Sequence, residues 1–289
     1  MARTTVDTKS NAGEEAAARP RPALFRALGR KDPPESIRLD GETFERTEIL
    51  KHDSWAATAI YESESRKALC KFNREQSILL FPMRWLGRLL AQREQRFMER
   101  LAGIEGIPVS LGVVTADGQR LPNAVSHEYI DGHALAEQER VDDEFFPRLA
   151  QLLDTVHDRG VAHVDLHKRE NILVDTAGRP HLIDYQISFA MPSSRIATAL
   201  LGGILRVLQR CDDYHLLKHR CKHRPDQIGM SLGDLQRMRP WWIRLHRCVA
   251  VPFRAFRRRL LTGLGIRSLS GHAFSEAFPE VAHRRAKAA

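Results

Sequence analysis

Cysteine is scarce: Cys70, Cys211, Cys221 and Cys248 are the only four in 289 residues, and no two form a Cys-x-x-Cys pair. Free thiols in a reducing cytoplasm are the simplest reading of that usage. Long apolar runs are also missing. The longest candidate, Ile196 to Leu205, is about half of the roughly 18 residues that a bilayer crossing needs, so no membrane span is expected. The N-terminus (MARTTVDTKSNAGEE) has no apolar core, and no secretory signal is read there. Internal repeats and collagen-like periodicity are absent as well. What is present is ordinary for a globular chain: 43% hydrophobic and 28% charged residues, with a length that suits one or two domains and a sizeable core.

The charge is uneven. The whole chain carries +9, from 45 Lys plus Arg against 36 Asp plus Glu. Leu201 to Ala289 holds 18 basic and 6 acidic residues, a local +12 that leaves −3 for the first 200. A positive C-terminal third attracts phosphate-bearing surfaces such as nucleic acid, anionic lipid or lipopolysaccharide, or it is a solvated face without a partner. Within it, Cys211, His215, His219, Cys221 and His223 are soft ligands of the kind that suits zinc, but their spacing matches no common zinc module.

Residues 1–37 are polar and rich in Ala and Pro, and read as a mobile leader. From Glu42 the pattern is strand-like. Ala57–Tyr61 and Ala68–Phe72, separated by the polar turn Glu62–Arg66, predict a hairpin. Ser77–Leu101 has helical spacing interrupted by Pro82, with Leu86, Leu90, Phe97 and Leu101 on a core-facing stripe that Arg93 spoils. Gly106–Ile130 reads as further strands. Phe145–Asp158 is an amphipathic helix, Ile196–Leu217 another, and Trp241–Leu264 a basic aromatic one kinked at Pro252. Strands with one helix, followed mostly by helices, predict an α+β chain with a small sheet lobe and a helical lobe, divided near Asp131-Gly132.

The densest stretch is GVAHVDLHKRENILVDTAGRPHLIDY. Asp165 and Asn171 fall in a polar loop, the apolar strand Ile172–Val174 follows, and after the turn Asp175–Pro180 a second strand, His181–Ile183, runs into Asp184. A hairpin returns the end of its second strand to the start of its first, so Asp184 should lie near Asn171 and Asp165. Two carboxylates and an amide oxygen make a hard site suited to Mg²⁺ completed by substrate phosphates. The plainer alternatives are that Asp165 and Asn171 cap a turn and that Asp184 only ends a strand.

These residues resemble the protein-kinase superfamily. His163-Val164-Asp165 with Asn171 looks like the H-R-D…N catalytic loop, and Asp184-Tyr185-Gln186 stands where D-F-G is expected. Lys71 in ALCKF looks like the third-strand lysine, Glu94 like its helix partner, and His127–Gly132 like the hinge; the match runs from about Glu42 to Phe189, roughly half the chain. The resemblance implies a two-lobed protein-kinase-like fold: residues 38–131 as a small antiparallel-sheet lobe with one main helix, 132–235 as a compact mostly helical lobe, and 236–289 as a basic aromatic extension. It implies ATP and Mg²⁺ as cofactors. Asp165 would orient the acceptor hydroxyl and take its proton. Asn171 and Asp184 would hold Mg²⁺, and Lys71, held by Glu94, would contact the α- and β-phosphates. The backbone of Glu128 and Ile130 would meet the adenine edge. His163 would brace the loop, and either His167 or Lys168 would neutralise the γ-phosphate. Lys67 is the rival for Lys71, and Glu99 for Glu94.

The chain departs from ordinary Ser/Thr kinases. Its Asp165–Asn171 loop is one residue longer, Val164 replaces the arginine, no G-x-G-x-x-G precedes Lys71, and no A-P-E follows Asp184. The turn at His52-Asp53-Ser54-Trp55 stands where the glycine loop would be. These features resemble the bacterial lipopolysaccharide core-sugar kinase group more closely, with LLKHRCKHRPD as a weaker likeness. The implied acceptor is a hydroxyl on a lipid-linked sugar, for a cytoplasmic protein that lies peripherally at the inner membrane face. The alternatives are an atypical protein Ser/Thr kinase and a non-catalytic pseudokinase. Nucleic acid is not the expected partner; a nucleic-acid binder would show steeply salt-dependent binding. In the C-terminal stretch, Trp241, Trp242, Phe253 and Phe256 among Arg244, Arg247, Arg254, Arg257, Arg258, Arg259 and Arg267 either lie on an anionic membrane or pack onto the helical lobe.

Overall fold

The computed structural model describes residues 22–78, 81–137, 139–191, 195–230 and 232–237. The expectations for residues 1–21 and for the basic aromatic helix from Trp241 lie outside the described residues. In chain order the elements are β1 (Ser36–Leu39), β2 (Glu42–His52), β3 (Ala56–Glu62), β4 (Lys67–Asn73), α1 (Arg84–Arg100), β5 (Thr115–Ala116), β6 (Gln119–Arg120), β7 (Ala124–Glu128), β8 (Gly132–Ala134), α2 (Phe145–Asp158), β9 (Val161–Ala162), β10 (Ile172–Asp175), β11 (Pro180–Leu182), β12 (Phe189–Ala190), α3 (Arg195–His223) and α4 (Leu232–Arg237). The architecture is α+β, built on a curled antiparallel sheet of order β6-β5-β1-β2-β3-β4-β7 with several helices. No described helix is long and apolar enough to cross a membrane.

The predicted hairpin is β3–β4, paired in register from Ala56↔Asn73 to Glu62↔Lys67. Period-2 alternation along β4 sends Ala68, Cys70 and Phe72 into an apolar core with Phe44, Ala59 and Tyr61. The same alternation turns Lys71 to the opposite face. A second core gathers Phe145, Phe146, Leu149, Leu153 and Val156 of α2 against Val161, Leu166, Ile172, Leu182 and Tyr185. α2 spans the predicted residues because its apolar positions recur at helical spacing.

Three expectations need correction. Residues 22–37, assigned to the leader, pack with the sheet. Ala27 is fully buried, its N–H donates to the Asp53 carbonyl at 2.7 Å, and its carbonyl accepts from Glu75 and Gln76 at 2.9 Å. Backbone contacts tie this segment down, and they leave no hydrophobic period to read. In Gly106–Ile130 only β5, β6 and β7 are regular; before them the chain pairs irregularly, with Leu111 N–H on Ser126 O and Glu128 N–H on Val109 O. The face that α1 buries is Gly87, Ala91, Glu94, Phe97 and Met98, so Leu86 and Leu90 are only half-buried. The rotation follows from close approach: a Cβ on Gly87 would lie 2.2 Å from the Arg74 carbonyl oxygen, so only glycine lets the helix seat with Glu94 inward.

Candidate active site

The inward face of α1 meets the polar face of β4 at one ammonium. Lys71 Nζ lies 2.8 Å from Asp184 Oδ1 and 3.3 Å from Glu94 Oε2. The two acids are 23 and 113 residues away in sequence. The rivals fall elsewhere: Lys67 is exposed and pairs with Glu62 at 3.2 Å, and exposed Glu99 accepts from Gln95. Burial opposes charge on Lys71, but Asp184 and then Glu94 outweigh it and hold the ammonium above its ordinary range. Burial likewise works against the Asp184 carboxylate, yet Lys71 and Lys168 keep it below the usual carboxylate range. Glu94 is pushed upward by burial, and Asp184's charge adds to the push against Lys71. Two cations, Lys71 and Lys168, thus serve three carboxylates, Glu94, Asp184 and Asp165, and the surplus negative charge suits a further cation.

Asp165 and Asn171 reach the same place through the hairpin. β10 and β11 pair Ile172↔Leu182, and Ile183 N–H donates to the Asn171 carbonyl at 3.0 Å, which sets Asp184 beside the loop. Asn171 Nδ2 donates to the Asp165 carbonyl at 3.1 Å, leaving the buried amide oxygen as an acceptor. The Asp165 carboxylate accepts from Lys168 Nζ at 2.6 Å on Oδ2, and His167 Nδ1 lies 3.1 Å from Oδ1. Burial would raise this carboxyl; His167 and Lys168 outweigh burial and hold it at about 2.

Since the folded value is depressed, Asp165 stabilises the fold above its ordinary value near 3.8, and that contribution is lost as pH falls towards 2. It amounts to about 2 kcal/mol. The destabilisation of Asp165→Asn measured by urea unfolding at pH 5 should therefore shrink by about that much at pH 2; a pH-independent difference would contradict it.

The loop is held in a strained shape. Val164 has φ of 69° and Asp184 φ of 66°, left-handed values that a β-branched residue adopts only under constraint. The constraint is Asp212 of α3, fully buried, whose oxygens accept from His163 N–H at 2.7 Å and Val164 N–H at 2.9 Å. His163 braces from the other side, its Nε2 3.0 Å from the Ile183 carbonyl and its ring edge-on to Tyr185. Asp212→Ala would leave two buried N–H groups without acceptors and should cost roughly 2–4 kcal/mol in urea unfolding, with Asp212→Asn recovering part. An alanine variant as stable as the parent would remove Asp212 from this role.

Asp212 carried no sequence signal, because an Asp-Asp pair in a long helix reads as solvated charge. Arg93 did: a cation in an apolar stripe needs a buried acceptor. It donates to the carbonyls of Gln186 at 3.0 Å and Ser188 at 2.7 Å, clamping the segment after Asp184 to α1.

Glu128 ends β7, and Ile130 lies two residues on. The Glu128 N–H donates to the Val109 carbonyl, and His127 Nδ1 lies 2.7 Å from the Glu128 carbonyl, so residue 128 keeps only one carbonyl lone pair for another partner. The Cys/His set on α3 is put to other uses: His219 Nε2 lies 2.9 Å from the Leu166 carbonyl, His223 Nδ1 3.2 Å from the Glu139 carbonyl, and Cys221 packs with Tyr214 and Leu235. Among the described residues, the side chains that converge at metal-ligand spacing are Asp154, His157 and Asp213 instead. A cavity of about 540 Å³ lined by Gly106, Arg148, Thr155, Arg159 and Arg179 contains none of the site residues. Its Arg148 and Arg179 are already paired with Asp142, Glu105 and Asp175, so the convergent charges around Lys71 mark the better candidate site. Among known proteins, no family model and no curated sequence matches the chain.

Proposed function

We propose that the chain is an ATP-dependent kinase of two-lobed protein-kinase-like fold, closest to the bacterial lipopolysaccharide core-sugar kinase group, which phosphorylates a hydroxyl on a lipid-linked sugar. The observation that carries this reading is the Lys71 ammonium between Glu94 and Asp184, with Asp165 and Asn171 on the adjoining loop. The donors fit Mg²⁺: the half-exposed Asp184 carboxylate and the spare Asn171 amide oxygen are hard oxygen ligands, and the neighbourhood carries surplus negative charge. Bound Mg²⁺–ATP would supply the phosphoryl group and neutralise its charge.

The chain's own residues position and hold. Lys71, fixed by Glu94, offers a charge to the phosphates. Asp165, ionised at neutral pH and held at about 2, is a weak base. Its work is to orient the acceptor hydroxyl and receive the proton late, which suits a loose phosphoryl-transfer transition state. Lys168, already on Asp165 at 2.6 Å and carrying a permanent charge near neutral pH, is better suited than His167 to offset charge on a transferring phosphoryl group. The Glu128 and Ile130 peptides would meet the adenine edge.

The test is transfer of label from γ-labelled ATP with Mg²⁺ to a panel of bacterial envelope glycans and generic proteins. Label on the glycolipid supports this reading. Label on protein alone supports a Ser/Thr kinase, and nucleotide binding without transfer a pseudokinase.

A further inference from the structure

The first two turns of α1 expose large apolar side chains on an outer face that is otherwise polar. Trp85 is 61% exposed and Leu89, one turn on, 42%, directly opposite the stripe that α1 buries. Phe81, just before the helix, is 73% exposed. Trp55, 45% exposed at the β2–β3 turn, belongs to the same end of the sheet: its carbonyl accepts from Arg74 N–H, and the Arg74 carbonyl is the atom that a Gly87 Cβ would strike. Three or four large apolar side chains concentrated at one edge mark a contact surface rather than scattered exposure.

Charge says what covers it. Ile78 to Arg93 contains Arg84, Arg88 and Arg93 and no acidic residue, and Arg84 and Arg88 are exposed beside Trp85 and Leu89. A two-fold contact with a second copy would set these arginines against one another. The C-terminal third carries the same sign, with a local +12, and residues 1–21 offer few large apolar side chains, Met1 and Val6. An anionic bilayer answers both features, accepting aromatic rings at its headgroup boundary and arginine at its phosphates. We propose that the start of α1, with Phe81, Trp85, Leu89, Arg84 and Arg88, seats the protein on an anionic membrane surface. The surface lies on the helix that carries Glu94, on the face opposite it. The proposal is independent of phosphoryl transfer.

The experiment is co-sedimentation of the full chain with phosphatidylcholine vesicles, with and without phosphatidylglycerol. Expected is binding to the anionic vesicles at least about tenfold stronger than to neutral ones and weakened by salt. F81S/W85S/L89S should lose at least about tenfold, and R84E/R88E at least about 25-fold, at about fivefold per arginine for roughly 1 kcal/mol each. Quenching of tryptophan emission by brominated acyl chains should fall sharply in Trp85→Phe, a variant that keeps the fold and the apolar bulk. Parent-like vesicle binding by both multiple variants, or quenching unaltered in Trp85→Phe, overturns the proposal. So does a triple variant that dissolves a soluble dimer while vesicle binding is untouched, or loss of binding only on deleting residues 240–289.

Discussion

Replacing Asp165 by Asn is expected to lower the rate of phosphoryl transfer by about 10²–10⁴-fold, the range for a positioned base, while nucleotide affinity changes little. The amide is nearly isosteric, keeps one oxygen to accept from Lys168 and cannot receive a proton. The strained backbone around it is set by Asp212 and the His163 brace, neither of which the substitution touches. Single-turnover transfer together with equilibrium nucleotide binding checks this. Retention of full transfer would remove Asp165 from the chemistry, and a parallel collapse of nucleotide binding would move its role to the ground state.

Lys71→Met should abolish measurable transfer, by about 10²–10³-fold or more for the lost phosphate contact. It should also cost up to about 3 kcal/mol, because buried Glu94 and partly buried Asp184 lose their shared ammonium and only Lys168 still acts on Asp184. Glu94 supplies a relief: already pushed upward by burial and by Asp184, it takes up a proton and part of the cost disappears. Lys71→Met/Glu94→Gln should therefore regain stability without regaining activity. Lys67→Met, at an exposed pair with Glu62, should change both within about 0.5 kcal/mol. Urea unfolding and transfer assays on the four proteins decide the matter; a large loss in Lys67→Met with none in Lys71→Met would exchange the two lysines' assignments.

How far this site could be read in advance varied with the kind of signal. The β3–β4 hairpin and α2 follow from local periodicity, and the β10–β11 hairpin predicts the approach of Asp184 to Asn171 from turn residues alone. Glu94 rather than Glu99 is decided by which face α1 buries. The stripe itself was misjudged, because a glycine-permitted contact at Arg74, which no period encodes, turns the helix. β1 and the packed segment before it were missed because backbone hydrogen bonds and one small alanine hold them, without a hydrophobic repeat.

Sequence alone determined the β3–β4 and β10–β11 hairpins, α2 and the approach of Asp184 to Asn171, because spacing and side-chain type are local properties. Only the tertiary structure decided that one ammonium bridges Glu94 and Asp184, that Asp212 pins a strained loop, and that Trp85 and Leu89 face outward. Each of those depends on the distance and angle between segments far apart in the chain, which packing of the two cores sets and no local pattern records.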